Sequence, residues 1–210
     1  MTGVQTCALP ISVTRRFSRD LSVPQVSLSS PANGSWFSEG NVSLGFVAND
    51  ARGIDSCSLF GDFNGSWELN RTSAAVVSGD TFSFYLNLTN GSYLWNVWCN
   101  DSLGNSGFAA ENYSFSIDTI VPAISVLVPT ADYNTTSSVL MFNWTVIDNL
   151  APVLMCNLTI NGTVNQSYIA AENGSNTNIT VAGFNEGDYL WNVTCWDNVS
   201  LVNTSVTRRF

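Results

Sequence analysis

The chain has 210 residues, 45% hydrophobic and 12% aromatic, which bounds it to one or two domains with small apolar cores. Sixteen acidic residues face seven basic ones, for a net charge of -9, and there is no histidine. All seven basic residues are arginine, so the chain lacks the basic patch that phosphate binding needs and no nucleic-acid partner is expected. Without histidine there is no Ser-His-Asp triad, no Cys-His pair and no histidine metal site, and the chain is not read as an enzyme.

In chain order, Met1 to Ser12 resembles a translated sequencing-library adapter fused to an incomplete reading frame, which would make Cys7 extraneous. Ser12-Val13-Thr14-Arg15-Arg16-Phe17 is identical to Ser205-Val206-Thr207-Arg208-Arg209-Phe210, and Phe17 to Pro24 aligns with Phe115 to Pro122. Residues 1–22 are therefore read as adapter-like sequence plus the last strand of a preceding repeat, cut from a longer array. Such a strand is expected to pack poorly or to lie on an exposed edge.

Two longer segments then repeat. Tyr93-Leu94-Trp95-Asn96-Val97-Trp98-Cys99-Asn100-Asp101 returns as Tyr189-Leu190-Trp191-Asn192-Val193-Thr194-Cys195-Trp196-Asp197, 96 residues later. Each copy alternates Tyr, Trp, Val and Cys with mostly polar residues, the period of a half-buried strand. In residues 23–119, strands are expected at 25–29, 41–49, 54–60, 67–69, 81–88, 93–101 and 112–117. In residues 120–210 they are expected at 123–128, 139–147, 153–160, 178–181, 189–195 and 201–210. Asn-Gly and Glu-Gly dipeptides supply turns, and no segment holds a helical period. The pattern predicts an all-β chain of two tandem antiparallel sandwiches. Core positions are assigned to Tyr93, Trp95 and Val97 and to Tyr189, Trp191 and Val193.

The turns Leu88-Thr89-Asn90-Gly91-Ser92-Tyr93 and Phe184-Asn185-Glu186-Gly187-Asp188-Tyr189 resemble the tyrosine corner before strand F of immunoglobulin-like and fibronectin type III domains. The Gly-x-Tyr-x-Trp-x-Val-x-Cys-x-Asp string and the Asp118 to Pro122 joint resemble tandem repeats of secreted archaeal and bacterial surface proteins. This likeness covers nearly all of residues 23–210. Each tyrosine is expected to send its hydroxyl to a backbone acceptor in the preceding turn.

Cys57 and Cys99 in one repeat match Cys156 and Cys195 in the other, which reads as one disulfide per repeat and an oxidising compartment. Buried reduced thiols are the competing reading. Against the antibody pattern, the first cysteine of each pair lies on the third strand, so the bond would join strands C and F of one sheet.

Eighteen of the twenty-four asparagines stand in Asn-x-Ser/Thr sequons, where chance would give about five. N-glycosylation is expected at several, with Asn41, Asn64, Asn87, Asn157 and Asn192 as the leading candidates. Asp101, Glu111, Glu186 and Asp197 sit near turns and read as solvated or capping carboxylates, with no catalytic residue among them. No cofactor or metal site is assigned; the nearest approach to one is a meeting of Asp50, Asp101 and Asp118 near a module end, where calcium could bind, although no EF-hand loop exists. Trp36, Trp67, Trp98 and Trp196 are candidates for an aromatic sugar platform.

Taken together, the sequence implies a non-catalytic extracellular spacer, display or adhesion segment of a cell-surface or secreted repeat protein. The alternative is a carbohydrate-binding or accessory module of a truncated secreted hydrolase. Expected partners are neighbouring repeats of the same chain, with glycans or surface proteins as candidates. No apolar run approaches a membrane span.

Overall fold

A computed structural model describes residues 19–210. The adapter-like segment, Cys7 and the Ser12 to Phe17 repeat copy lie outside the described residues. The described chain is strand and loop throughout. Its first half holds β1 (Gln25–Ser30), β2 (Ser35–Phe37), β3 (Asn41–Asn49), β4 (Ile54–Gly61), β5 (Glu68–Ser73), β6 (Thr81–Asn87), β7 (Gly91–Asp101), β8 (Ser106–Phe108) and β9 (Tyr113–Ile117). The second holds β10 (Ala123–Val128), β11 (Val139–Ile147), β12 (Val153–Ile160), β13 (Thr163–Glu172), β14 (Asn176–Ala182), β15 (Leu190–Trp196), β16 (Val202–Thr204) and β17 (Arg208–Arg209).

Each half is a two-sheet sandwich of immunoglobulin-like order. One sheet runs β1-β3-β6, and the facing sheet runs β2-β9-β7-β4-β5 with β8 also on β7. The second half repeats this as β10-β11-β14 against β13-β12-β15-β16, with β17 also on β15. All pairings are antiparallel except β2 with β9. The alternation that suggested strands is what packs them. Val42, Leu44, Phe46 and Ala48 of β3 face inward, as do Leu140, Phe142, Trp144 and Val146 of β11.

Two separate cores result. The first gathers Leu44, Phe46, Leu59, Trp95, Val97, Phe115 and Ile117. The second gathers Phe142, Trp144, Leu154, Leu158, Trp191, Val193 and Phe210. Trp95 and Trp191 are fully enclosed on the central strands β7 and β15, and Trp144 fills the place that Phe46 holds in the first sandwich. Trp95 meets Tyr113 edge-on at 6.1 Å, and Trp191 meets Phe142 at 5.1 Å. Tyr93 donates from its hydroxyl to the Thr89 carbonyl at 2.9 Å, and Tyr189 to the Asn185 carbonyl at 3.3 Å. Both corners thus close on the residue four positions back.

Several strands differ from the sequence expectation. The ten-residue β13 was not anticipated, and it is almost wholly exposed at a sheet edge, so it has no apolar alternation to detect. It follows a two-residue turn in which Asn161 (φ 49°) and Gly162 (φ 77°) both adopt the left-handed conformation of a type I′ hairpin. The expected last strand, 201–210, is split into β16 and β17. Between them, Ser205 accepts the Val193 N–H on its side-chain oxygen at 3.0 Å, so a hydroxyl replaces a ladder carbonyl there. The short strands β2 and β8 were also not anticipated; neither is long enough to show a period.

Because the two cores are separate, damage to one should stay local. Trp95→Ala is expected to destabilise the first sandwich by about 3–5 kcal/mol. Hydrogen exchange followed by mass spectrometry checks this: Asn41–Asn49 loses protection in the variant while Val139–Ile147 keeps it. Equal loss in both segments would mean one shared cooperative unit.

Candidate functional site

Strand pairing decides where the cysteines go. In β4 and β7, Cys57 lies directly opposite Cys99, and in β12 and β15, Cys156 lies opposite Cys195. The Cα atoms are 4.1 Å apart in both pairs, and each pair is bonded through sulfur. All four cysteines are fully buried. These bonds clamp neighbouring strands of one sheet, in place of the bond between sheets found in antibody domains.

The sequon asparagines divide by face. Asn41, Asn64 and Asn87 are exposed, and the Asn87 amide donates to Asn41 Oδ1 at 2.6 Å across the sheet. Asn157 and Asn192 are half-buried; Asn157 accepts the Tyr168 N–H at 3.0 Å, and Asn192 donates to Thr207 at 3.2 Å. Asn143 is buried and bonded to Asn178, so its sequon is closed. Trp98 is half-buried opposite Phe108, Trp196 stands edge-on to Tyr168 at 5.6 Å, Trp36 is half-buried on β2, and Trp67 is exposed.

The carboxylates hold the least expected arrangement. Glu111 and Glu186 are exposed, whereas Asp101 and Asp197 are buried. The proposed meeting of Asp50, Asp101 and Asp118 does not occur. Asp118 follows Ile117, which pairs with Gly91 at the start of β7, while Asp101 ends that strand. Ten residues of strand, about 33 Å, separate them. Instead, two aspartate triads form, each with one oxygen per residue within 4.8 Å of the others: Asp20, Asp50 and Asp101, and Asp118, Asp148 and Asp197.

The triads occupy equivalent places. Asp50 and Asp148 follow β3 and β11, Asp101 and Asp197 come at the ends of β7 and β15, and Asp20 and Asp118 precede each sandwich. Asp101 Oδ1 accepts the backbone N–H groups of Leu103 and Asn105, both at 2.9 Å. Asp197 Oδ1 accepts those of Val199 at 2.9 Å and Leu201 at 3.0 Å. Asp148 Oδ1 accepts those of Leu150 at 3.0 Å and Ala151 at 2.7 Å. Asn173 fixes that loop from behind, donating to the carbonyls of Asp148 at 2.7 Å and Ala151 at 2.9 Å. The sequence did carry a signal: the 30-residue step from Asp20 to Asp50 recurs from Asp118 to Asp148.

Electrostatically the triads diverge. The side-chain amide of Asn105 donates to Asp101 Oδ2 at 2.8 Å and holds that carboxyl below the usual aspartate range, against the effect of burial. The Ser22 hydroxyl and N–H hold Asp20 low in the same way. Asp197 is pushed up, first by burial and then by the negative charges of Asp118 and Asp148.

No protein-family model matches the chain, and no curated protein matches it. Among solved structures, the fibronectin(III)-like modules of Clostridium thermocellum CbhA are similar at a TM-score of 0.45 and 14% identity, over 88% of this chain and 92% of that one. Dimeric latent PorU from Porphyromonas gingivalis is similar at a TM-score of 0.39 and 16% identity, over 94% of this chain and 21% of PorU. The fold class rests on the strand order described above.

A depressed carboxyl contributes stability above its unfolded value and loses it as pH falls through the folded one. The Asp101 contribution is therefore present at neutral pH and vanishes on acidification below 3.8. Carbon-13 NMR of the Asp101 carboxyl should show a midpoint below 3.8 that rises in Asn105→Ala. A midpoint at or above 3.8 in the parent chain would contradict the assignment.

Proposed function

We propose that the chain is a non-catalytic extracellular segment of a cell-surface or secreted repeat protein, built from two immunoglobulin-like domains at residues 23–119 and 120–210. Its role is to space, display or adhere, with neighbouring repeats of the same chain as its first partners and glycans or surface proteins as further ones. The observation that carries this reading is the buried disulfide at the same place in both sandwiches. Such bonds persist in oxidising compartments.

The sequons support the same reading. Eleven of the eighteen sequon asparagines are exposed and only Asn143 is buried, so the strands turn this polar set outward. Exposed Asn, Ser and Thr also give solubility to a chain with so few charges. The carbohydrate-binding alternative gains little from the tryptophans, because Trp98 is half-buried opposite Phe108 in the strand register and Trp196 stands edge-on to Tyr168.

Two measurements test the proposal. The disulfides close loops of 42 and 39 residues, so each stabilises by about 4 kcal/mol on the chain-entropy account. Reductant should lower the unfolding midpoint of both sandwiches, and an unchanged melt would remove the structural role of the bonds. Mass spectrometry of protein from its native source should find glycan on exposed sequons such as Asn41, Asn64 or Asn87 and none on Asn143. Bare peptides throughout would argue against the exported, glycosylated state.

A further inference from the structure

The second aspartate triad is electrically incomplete. Asp118, Asp148 and Asp197 are 0%, 8% and 6% exposed. Each spends Oδ1 on backbone N–H groups, Asp118 on that of Ile120 at 3.1 Å. Each leaves Oδ2 buried with no hydrogen-bond partner. No salt bridge among the described residues reaches any of the three. Buried anionic oxygens left this way are costly, and three together repel.

The first triad shows how the same geometry is completed with side chains. There, Arg52 lies 3.9 Å from Asp20, and Asn105 donates to Asp101 Oδ2. None of its oxygens is a buried orphan. The equivalent positions in the second sandwich, two residues after Asp148 and four after Asp197, are Leu150 and Leu201. Their backbone N–H groups make the same capping bonds as those of Arg52 and Asn105. The charged and hydrogen-bonding side chains are gone, Ser22 being Ile120 as well, while all three carboxylates stay.

We infer that Asp118, Asp148 and Asp197 form a calcium site. A single water has two hydrogens for three orphan oxygens and leaves the charge in place. A divalent cation meets both needs. An all-carboxylate oxygen set favours a hard ion over zinc, whose protein sites are built chiefly from nitrogen and sulfur ligands. Calcium–oxygen bonds of about 2.3–2.6 Å put opposite ligands up to about 5 Å apart, which suits oxygens within 4.8 Å of one another. Magnesium needs a tighter octahedron and gives up its waters reluctantly.

The site also has a mechanical sense, which rests on the spacer reading. Asp118 directly follows β9 and its N–H bonds the Phe37 carbonyl at 2.8 Å, so it belongs to the first sandwich. Asp148 and Asp197 belong to loops of the second. One ion therefore ties the end of one sandwich to the next and stiffens the joint.

The test is calorimetric titration of calcium into the chelator-treated full chain. One site is expected, with magnesium much weaker, and calcium should raise the unfolding midpoint. Asp148→Asn and Asp197→Asn keep an oxygen for the backbone caps and should weaken binding roughly tenfold or more, since ligand charge sets affinity. Asp50→Asn, in the first triad, should leave it unchanged. The paired change Leu150→Arg with Leu201→Asn, which transplants the first triad's solution, should abolish calcium dependence while the chain stays folded in chelator. Absence of binding by a folded chain, or binding insensitive to Asp148→Asn and Asp197→Asn, overturns the site. So does binding lost in Asp50→Asn. None of these outcomes bears on glycosylation or export, so the site and the spacer reading fail separately.

Discussion

The structure depends on one strand pair used twice. β7 lies against β4, and β15 against β12, in registers that put cysteine opposite cysteine. The alternation of β7 then follows: with Cys99 turned into the core, Val97, Trp95 and Tyr93 turn in with it. The tryptophan takes the centre, and the tyrosine at the end of the row bonds back to its own turn. Neither sandwich is large, and a covalent clamp beside a buried indole lets each hold a core of its own.

Repetition explains why so much was legible in the sequence. The Tyr-x-Trp-x-Val-x-Cys row fixes a strand, a face and a partner at once, and its second copy rules out coincidence. The tyrosine corners and the C-to-F disulfides could be read the same way, because each is a local motif or a matched pair. The strand β13 could not, since an edge strand exposed on both sides has no reason to alternate. The broken last strand was hidden for a different reason: Ser205 replaces a backbone acceptor with its side chain, which composition does not reveal.

The aspartates show a limit of another kind. Asp101 and Asp197 were correctly placed beside turns, but a turn carboxylate is ordinarily solvated, and these are buried. What buries them is convergence from three loops that lie far apart in the chain. A meeting of Asp118 with Asp50 and Asp101 near a module end fails because the sheet register puts Asp118 at the opposite end of β7 from Asp101. Aligning the two repeats residue by residue, including Asp20 against Asp118, carries the grouping that the structure displays. The same alignment exposes the change from Arg52 and Asn105 to Leu150 and Leu201, which removes a cation and an amide donor from beside the aspartates.

Both sandwiches depend on the cross-strand register of the central pair. Peptide mapping of the non-reduced chain by mass spectrometry tests it directly. The expected map has Cys57 linked to Cys99 and Cys156 linked to Cys195, with no other bridge between these four. Free thiols at these positions in protein from its native source, or a link between the two sandwiches, would contradict it.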